Sequence, residues 1–290
     1  MKKIIAALIL LTSVVWLDRV CHRKPKFINT LIYATPPFSA KWQPPSLTPE
    51  EQQEIDTILS QPFSYLDKGS QAYVFESEDK RYVLKFLKQH IYTPNSWACY
   101  IPFSFNPYYN KYCNRKKKKQ AAYEACQIAY TYLKEKTGLI YVHLNPTDHL
   151  KKTLTLVSRK GHPKSIEIDK ACFLIQKKAD LIYPRISQLM EGNHIDQAEK
   201  VISSVFSLID CFFRLGIYDN DAKVWNNFGL IDDNAIQIDV GIMKIDPLRA
   251  LKPADPQEKQ QIAAPLGLWL EENHPELLAH FNKLLNPSQL

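Results

Sequence analysis

Along residues 195–215, IDQAEKVISSVFSLIDCFFRL, apolar side chains recur three and four positions apart, which predicts a strongly apolar helix. A second helix is predicted over 115–137, where Ala121, Ala125 and Ile128 share a stripe with Glu124. LTPEEQQEIDTILS predicts another, capped by Thr48, with Pro49 in its first position and Glu51 three residues after the cap. Helical runs also flank Pro275. Elsewhere the period changes to two. FSYLDKGSQAYVFESEDKRYVLKFLK, 63–88, alternates as strands around turns, and 151–177 does so around RKGHPK. FGLI and AIQI are short strands joined by Asp232, Asp233 and Asn234. Residues 24–48 are proline-rich and read as a linker or wrapping arm, and 89–114 form an aromatic stretch without regular period. Strands, helix, strands, long helix, hairpin and helices make an α+β order with a sheet-rich first half and no internal repeat.

Composition narrows the picture. At 290 residues, 45% hydrophobic and 11% aromatic, the chain is globular rather than disordered. Its net charge of +7 is concentrated before residue 27 and in RKKKK at 115–119, so the remaining body is mildly acidic. That pattern excludes a uniformly basic nucleic-acid binder. The six cysteines show no CxxC and no metal-like Cys/His spacing. Cys126, Cys172 and Cys211 sit in apolar runs and read as buried hydrophobes. Cys99 and Cys113 flank one loop, where a bridge and two free thiols are equally compatible with the sequence.

The N-terminus is uncharged from Ile4 to Leu17, between Lys2-Lys3 and a second basic flank. The run is short for a spanning helix and suits a signal-peptide core, yet no small-x-small cleavage site follows it. Snorkelling lysines and Trp16 at the interface allow it to span a thin bilayer. The expectation is an uncleaved membrane anchor, with a cleaved, secreted form and a buried helix as alternatives. The insert HIYTPNSWACYIPFSFNPYYNKYCNRKKKK pairs aromatic residues with a basic run. It reads as a surface for a partner or an anionic membrane, or else as a loop packing its aromatics on the sheet.

The chemistry concentrates in DNDAKVWNNFGLIDDNAIQIDVG, 219–241. Asp221 precedes Asn226 by five residues, and a hairpin carries Asp239 back beside them. Three such oxygen-bearing side chains suit Mg²⁺, which takes one or two carboxylates together with phosphate oxygens. No Gly-x-Ser-x-Gly, His-Glu-x-x-His or Gly-Lys-Ser/Thr motif competes. His143, in LIYVHLN, reads as a core-edge side chain.

These residues resemble the protein-kinase-like superfamily, in which Asp, four residues and Asn are followed, beyond a hairpin, by a metal-binding Asp-x-Gly. The resemblance implies that Asp221 orients or deprotonates an acceptor hydroxyl, that Lys223 steadies phosphate, and that Asn226 and Asp239 hold the metal. LDKGSQAYVF, 66–75, is similar to the family's glycine-rich loop, with Leu66, Gly69 and Val74 in matching places. YVLKF, 82–86, is similar to its lysine strand, which makes Lys85 the phosphate-binding lysine. Its partner is then a helix acid, Glu124, with Glu135 as the rival. ACFLIQKKA, 171–179, resembles the fifth strand and hinge, where backbone from Gln176 to Lys178 would pair with adenine, and Val74, Val83 and Phe228 would sandwich the ring.

The resemblance implies a two-lobed fold binding ATP and Mg²⁺, and transfer of phosphate to a hydroxyl acceptor at a membrane. The expected divisions are a hydrophobic segment at 1–26, a Pro-rich linker at 27–48, a sheet-rich lobe at 49–178 with its insert at 89–119, and a short helical lobe at 179–290. Departures are definite. Asp67 and Ala72 replace two loop glycines, Asp219-Asn220 replaces His-Arg, and Val240 replaces Phe. A pseudokinase that presents the insert to a protein or membrane partner is the alternative.

Overall fold

The computed structural model describes residues 12–13, 31–36, 38–93, 97–102, 106–219, 224–241, 243–252 and 254–286. The side chains of residues 97, 98, 219, 225 and 226 fall outside that description. The expected anchor, Ile4–Leu17, lies outside the described residues apart from Thr12 and Ser13. No helix among the described residues is long and apolar enough to cross a membrane.

The first helix, α1 (Pro49–Ile58), starts as its sequence predicts. The Thr48 hydroxyl accepts from the Glu51 N–H and the Glu51 carboxylate accepts from the Thr48 N–H. Three antiparallel strands follow: β1 (Phe63–Lys68), β2 (Ala72–Ser77) and β3 (Tyr82–Leu87). After helix α2 (Pro107–Tyr132) come β4 (Leu139–His143), β5 (Thr153–Val157), β6 (Pro163–Glu167) and β7 (Phe173–Lys177). The seven strands form one sheet in the order β4-β7-β3-β2-β1-β5-β6. The β5–β6 hairpin reaches the far edge and adds to β1 in parallel, pairing Phe63 with Leu156. The strand that resembled the family's fifth is therefore the seventh here.

Alternation on β3 sorts two environments. Leu84 and Phe86 enter a core with Phe63, Phe75, Tyr141 and Phe173, closed from outside by α1. Val83, Lys85 and Leu87 face the other way, into a cleft.

The second half is mostly helical: α3 (Ile182–Glu191), α4 (Ile195–Leu215), α5 (Pro256–Asn273) and α6 (Leu278–Leu285). Helix α4 buries Val201, Ile202, Val205, Phe206 and Ile209, as its period predicts. It ends at Gly216 with φ +64°, where a Cβ would stand 2.2 Å from the Asp246 carbonyl, so only glycine fits. The hairpin β8 (Ile217–Asp219) with β11 (Met243–Ile245) brackets a second one, β9 (Phe228–Ile231) with β10 (Asn234–Gln237). Asp232 and Asp233, both at positive φ, make its two-residue turn. One apolar cluster runs from the cleft side of the sheet (Leu87, Leu139, Leu174) through α2 to α4, α5 and α6.

One expectation changes here. Helix α2 begins at Pro107, eight residues before the predicted start, because Asn106 caps it by accepting from the Tyr108 and Tyr109 N–H groups. Of the two readings of the proline-rich segment, linker or wrapping arm, its described part takes the second. Ile32 is buried in the sheet core, the Cys172 N–H donates to the Ile32 carbonyl at 3.0 Å, and the Ala34 N–H donates to Lys170 at 2.7 Å. Farther on, Trp42 packs edge-to-face on Tyr123 and the Asn145 amide donates to the Ser39 carbonyl. The segment is an arm strapped across α2.

Candidate active site

The cleft between sheet and helices holds a cavity of about 710 Å³. Its roof is Leu66, Val74 and Val83, and its rim is the β1–β2 turn, Gly69 to Gln71. The register explains the grouping. Val74 pairs with Lys85 across β2–β3, Lys85 pairs with Leu174 across β3–β7, and Val83 pairs with Gln176. Cleft-facing positions of three adjacent strands thus line up by the period of two. A bulge in β1 between Tyr65 and Asp67 brings Leu66 over the opening.

Lys85 sits at the back. Its Nζ donates to the backbone carbonyl of Ile238, the residue before Asp239. Burial pushes this amine below the usual lysine range, and the Asp239 carboxylate opposes that shift. Asp239 is exposed to the cavity, with one oxygen accepting from the Gly241 N–H at 3.1 Å. Lysine and aspartate therefore face the same space from opposite lobes.

The predicted helix acid is elsewhere. Glu124 ion-pairs with Lys41 at 2.6 Å and accepts from Gln120 at 3.0 Å, and these contacts hold its carboxyl below the usual range. Helix α2 presents Ala122 and Cys126 to the cavity instead. The buried stripe is Ala122, Ala125, Cys126 and Ala129, rotated from the predicted one so that position 124 turns outward. Cys126 is 3% exposed, and burial together with Asp239 pushes its thiol up to about 12. The rival Glu135 is exposed.

Phe228 also differs from expectation. It is 1% exposed and packs edge-to-face against Phe212 inside the helical core, so it does not line the cavity. Ile238, whose carbonyl accepts from Lys85, lines the cavity instead. Sequence reasoning missed it because it looked only two residues beyond Asn226. The close approach depends on Gly229, where a Cβ would meet the Ala179 Cβ at 2.8 Å and the Asp180 carbonyl at 3.0 Å. Asp180 and Leu230 exchange both backbone hydrogen bonds, at 2.9 and 2.8 Å, which ties the hinge to β9.

At the hinge, the Lys177 and Lys178 N–H groups already donate to Gly138 and Arg81, each at 2.8 Å. Ala179, next along the chain and also lining the cavity, carries the first amide not used in this way. Of the remaining expected residues, Gly69 lines the rim. A Cβ there would meet nothing nearer than 3.9 Å, so its backbone has no steric need for glycine. Asp221 and Lys223 lie outside the described residues, as does the Asn226 side chain. Its neighbour Asn227, 6% exposed, lines the cavity.

Of the two states open to Cys99 and Cys113, the structure has the thiols, with no disulfide between them. His143 is fully buried, bonded to the Ala171 carbonyl at 2.8 Å and the Thr147 hydroxyl at 2.9 Å, a core residue as expected.

A sheet lobe with a cleft lysine, a hinge, a helical lobe and an aspartate after a hairpin define a mixed α+β, protein-kinase-like plan. No family model and no curated protein matches the chain. Solved structures do. A 2.2 Å crystal structure of WbdD is 16% identical, matching 77% of this chain and 46% of its own, with a TM-score of 0.32. A further structure, of the bifunctional kinase-methyltransferase WbdD, is 15% identical over 74% and 42%, with a TM-score of 0.29. The complex of Rv3197 with erythromycin from Mycobacterium tuberculosis is 14% identical over 82% and 61%, with a TM-score of 0.33. The chain spans less than two thirds of the length of each.

Proposed function

We propose that this chain is an ATP- and Mg²⁺-dependent phosphotransferase acting on a hydroxyl acceptor. The observation that carries it is Lys85 and Asp239 facing one cavity, between an apolar roof and a hinge. A half-buried lysine facing a cleft seldom goes without a polar partner, and here the amine is held against the backbone beside a carboxylate. Such a pair suits a ligand that is itself anionic and arrives with a cation.

The residues fit that ligand. Asp239 keeps one oxygen without a protein donor, and Asn227 adds a carboxamide at the wall. Among the described residues no three His, Cys, Asp or Glu side chains form a cage, so a cation here would take its remaining ligands from phosphate and water, the habit of Mg²⁺. Magnesium would supply charge neutralisation at the phosphates. Lys85 would position the phosphate chain, and Asp239 with Asn226 or Asn227 would hold the metal. Asp221 would take the hydroxyl proton as the acceptor oxygen attacks, and Lys223 would steady the phosphoryl group. Val74, Val83 and Ile238 would enclose the base, with Ala179 at its edge.

A thermal-shift titration of the full chain with ATP, with and without Mg²⁺, tests the reading alongside Asp239→Asn and Lys85→Ala. Stabilisation that needs Mg²⁺ and disappears in Asp239→Asn is expected, followed by phosphate transfer in a radiolabel assay. No shift in the folded wild type sinks the proposal. One observation favours a second reading. Glu124 is committed to Lys41, so Lys85 lacks the helix acid that the family uses, which suits a pseudokinase that binds nucleotide without transferring phosphate. Magnesium-dependent binding without turnover, whatever the acceptor, would select it.

A further inference from the structure

The β1–β2 turn lost two of the glycines that the resemblance implies, yet a buried lysine lies directly beneath it. Lys88 is only 4% exposed. Its Nζ donates to the Gly69 carbonyl and, at 3.3 Å, to the Ser70 carbonyl, and lies 4.8 Å from the centroid of the Tyr73 ring. Its backbone N–H donates to the Gln71 carbonyl at 2.8 Å. One residue thus holds three successive carbonyls of the turn. Burial pushes the Lys88 amine below the usual range, with exposed Lys68 adding to the effect. The carbonyls and the ring face compensate what remains of the charge.

Peptide planarity turns this contact into a direction. In a trans peptide the carbonyl of one residue and the N–H of the next point opposite ways. With the Gly69 and Ser70 carbonyls drawn down onto Lys88, the Ser70 and Gln71 N–H groups point away from it. Gly69, Ser70 and Gln71 line the cavity, whereas Lys88 does not. Neither of the two amides donates to a backbone carbonyl of a turn or loop. We infer that Lys88 is a positioning residue that aims the Ser70 and Gln71 amides into the cavity as a small anion nest for the phosphates of a nucleotide. This rests on the nucleotide reading above. It assigns to a lysine the ordering that bare glycines leave to the ligand. It also offsets Asp67, an acid on the same rim that repels phosphate.

The test compares Lys88→Met, which keeps the stem and removes the donor, with wild type in the full chain. Calorimetric affinities are measured for ATP and adenosine, both with Mg²⁺. The expected result is a loss of roughly tenfold or more for ATP with adenosine changed less than about twofold, because only the phosphates use the ordered amides. Lys88→Arg is expected to recover part of the loss. Unchanged ATP affinity in a folded Lys88→Met overturns the inference, and so does an equal loss for both ligands, which marks a purely structural role. Hydrogen exchange on wild type adds a reading that does not depend on a variant folding. The Ser70 and Gln71 amides are to be protected by ATP and by inorganic tripolyphosphate, and unprotected amides in an ATP-bound chain overturn the proposal. Wild type that binds adenosine and ATP equally well rejects the nest while leaving the cavity a nucleoside site. Wild type that binds neither nucleotide nor tripolyphosphate rejects the site reading and this one together.

Discussion

Glu124 and Lys41 lie 2.6 Å apart, on the face of α2 that turns away from the cleft. The pair joins the proline-rich arm to the same helix that carries Cys126 to the cavity wall. Glu124→Gln is therefore expected to leave the ATP-induced thermal shift unchanged, while Lys85→Ala abolishes it. The stability cost of Glu124→Gln should stay below about 1 kcal/mol, because both groups are well exposed and solvent screens them. A Glu124→Gln protein that folds but no longer responds to ATP would contradict this arrangement.

Phe228 supplies the complementary case, a buried ring mistaken for a ligand contact. Phe228→Ala is expected to cost about 3–5 kcal/mol in chemical denaturation, as deletion of a fully buried aromatic does. The milder Phe228→Leu should lower Tm while keeping ATP affinity within about twofold, since general packing differences of this kind stay local. Val74→Asp, at the roof, should do the reverse. It leaves the helical core intact and removes nucleotide binding.

At Gly229 one methyl group separates two elements of the site. The Cβ of Gly229→Ala would meet Ala179 at 2.8 Å and Ile238 at 3.0 Å, neither of which can move without shifting hinge or floor. Overpacking of this kind costs about 1–3 kcal/mol. The expected outcome is a lower denaturation midpoint together with weaker adenosine binding, read by calorimetry.

His143 predicts a pH dependence. Burial lowers its pKa from 6.5 to about 4, against the opposing hydrogen bond to the Ala171 carbonyl. The unfolded chain then binds a proton that the folded chain refuses. Stability from this group is complete above pH 6.5 and is lost as pH falls towards 4, by at most about 3 kcal/mol. Urea midpoints of wild type and His143→Asn between pH 7 and pH 4 should converge as pH falls. A constant gap across that range would show that the imidazole does not titrate on unfolding.

Much of this arrangement is legible in the chain, and the misses have physical reasons. The period-two pattern of YVLKFL separates Lys85 from Leu84 and Phe86, and both environments exist. The first turns of α2 carry no apolar stripe because Tyr108, Lys111 and Asn114 are exposed, so only the Asn-Pro cap marks their start. LIYVH is buried throughout, so alternation cannot reveal it as β4. Phe228 fails for the same reason, standing in a strand whose first three residues are all buried. Glu124 fails through helical phase. Moving the stripe by one residue turns a helix face by about 100°, and Ala121 and Ala122 are indistinguishable to a pattern of small residues. Lys88 had no signal at all, because a lysine ending a strand normally reaches solvent.

The apolar cluster that runs from Leu87 and Leu174 through α2 to Phe206 and Leu266 has a mechanical consequence. Sheet and helices are not two bodies on a flexible pivot, since swinging them apart would wet side chains that share a single interior. Interiors packed to that density resist continuous deformation. The rim of the cavity shares that anchoring, since one buried residue, Lys88, ties the turn from Gly69 to Gln71 to the end of β3.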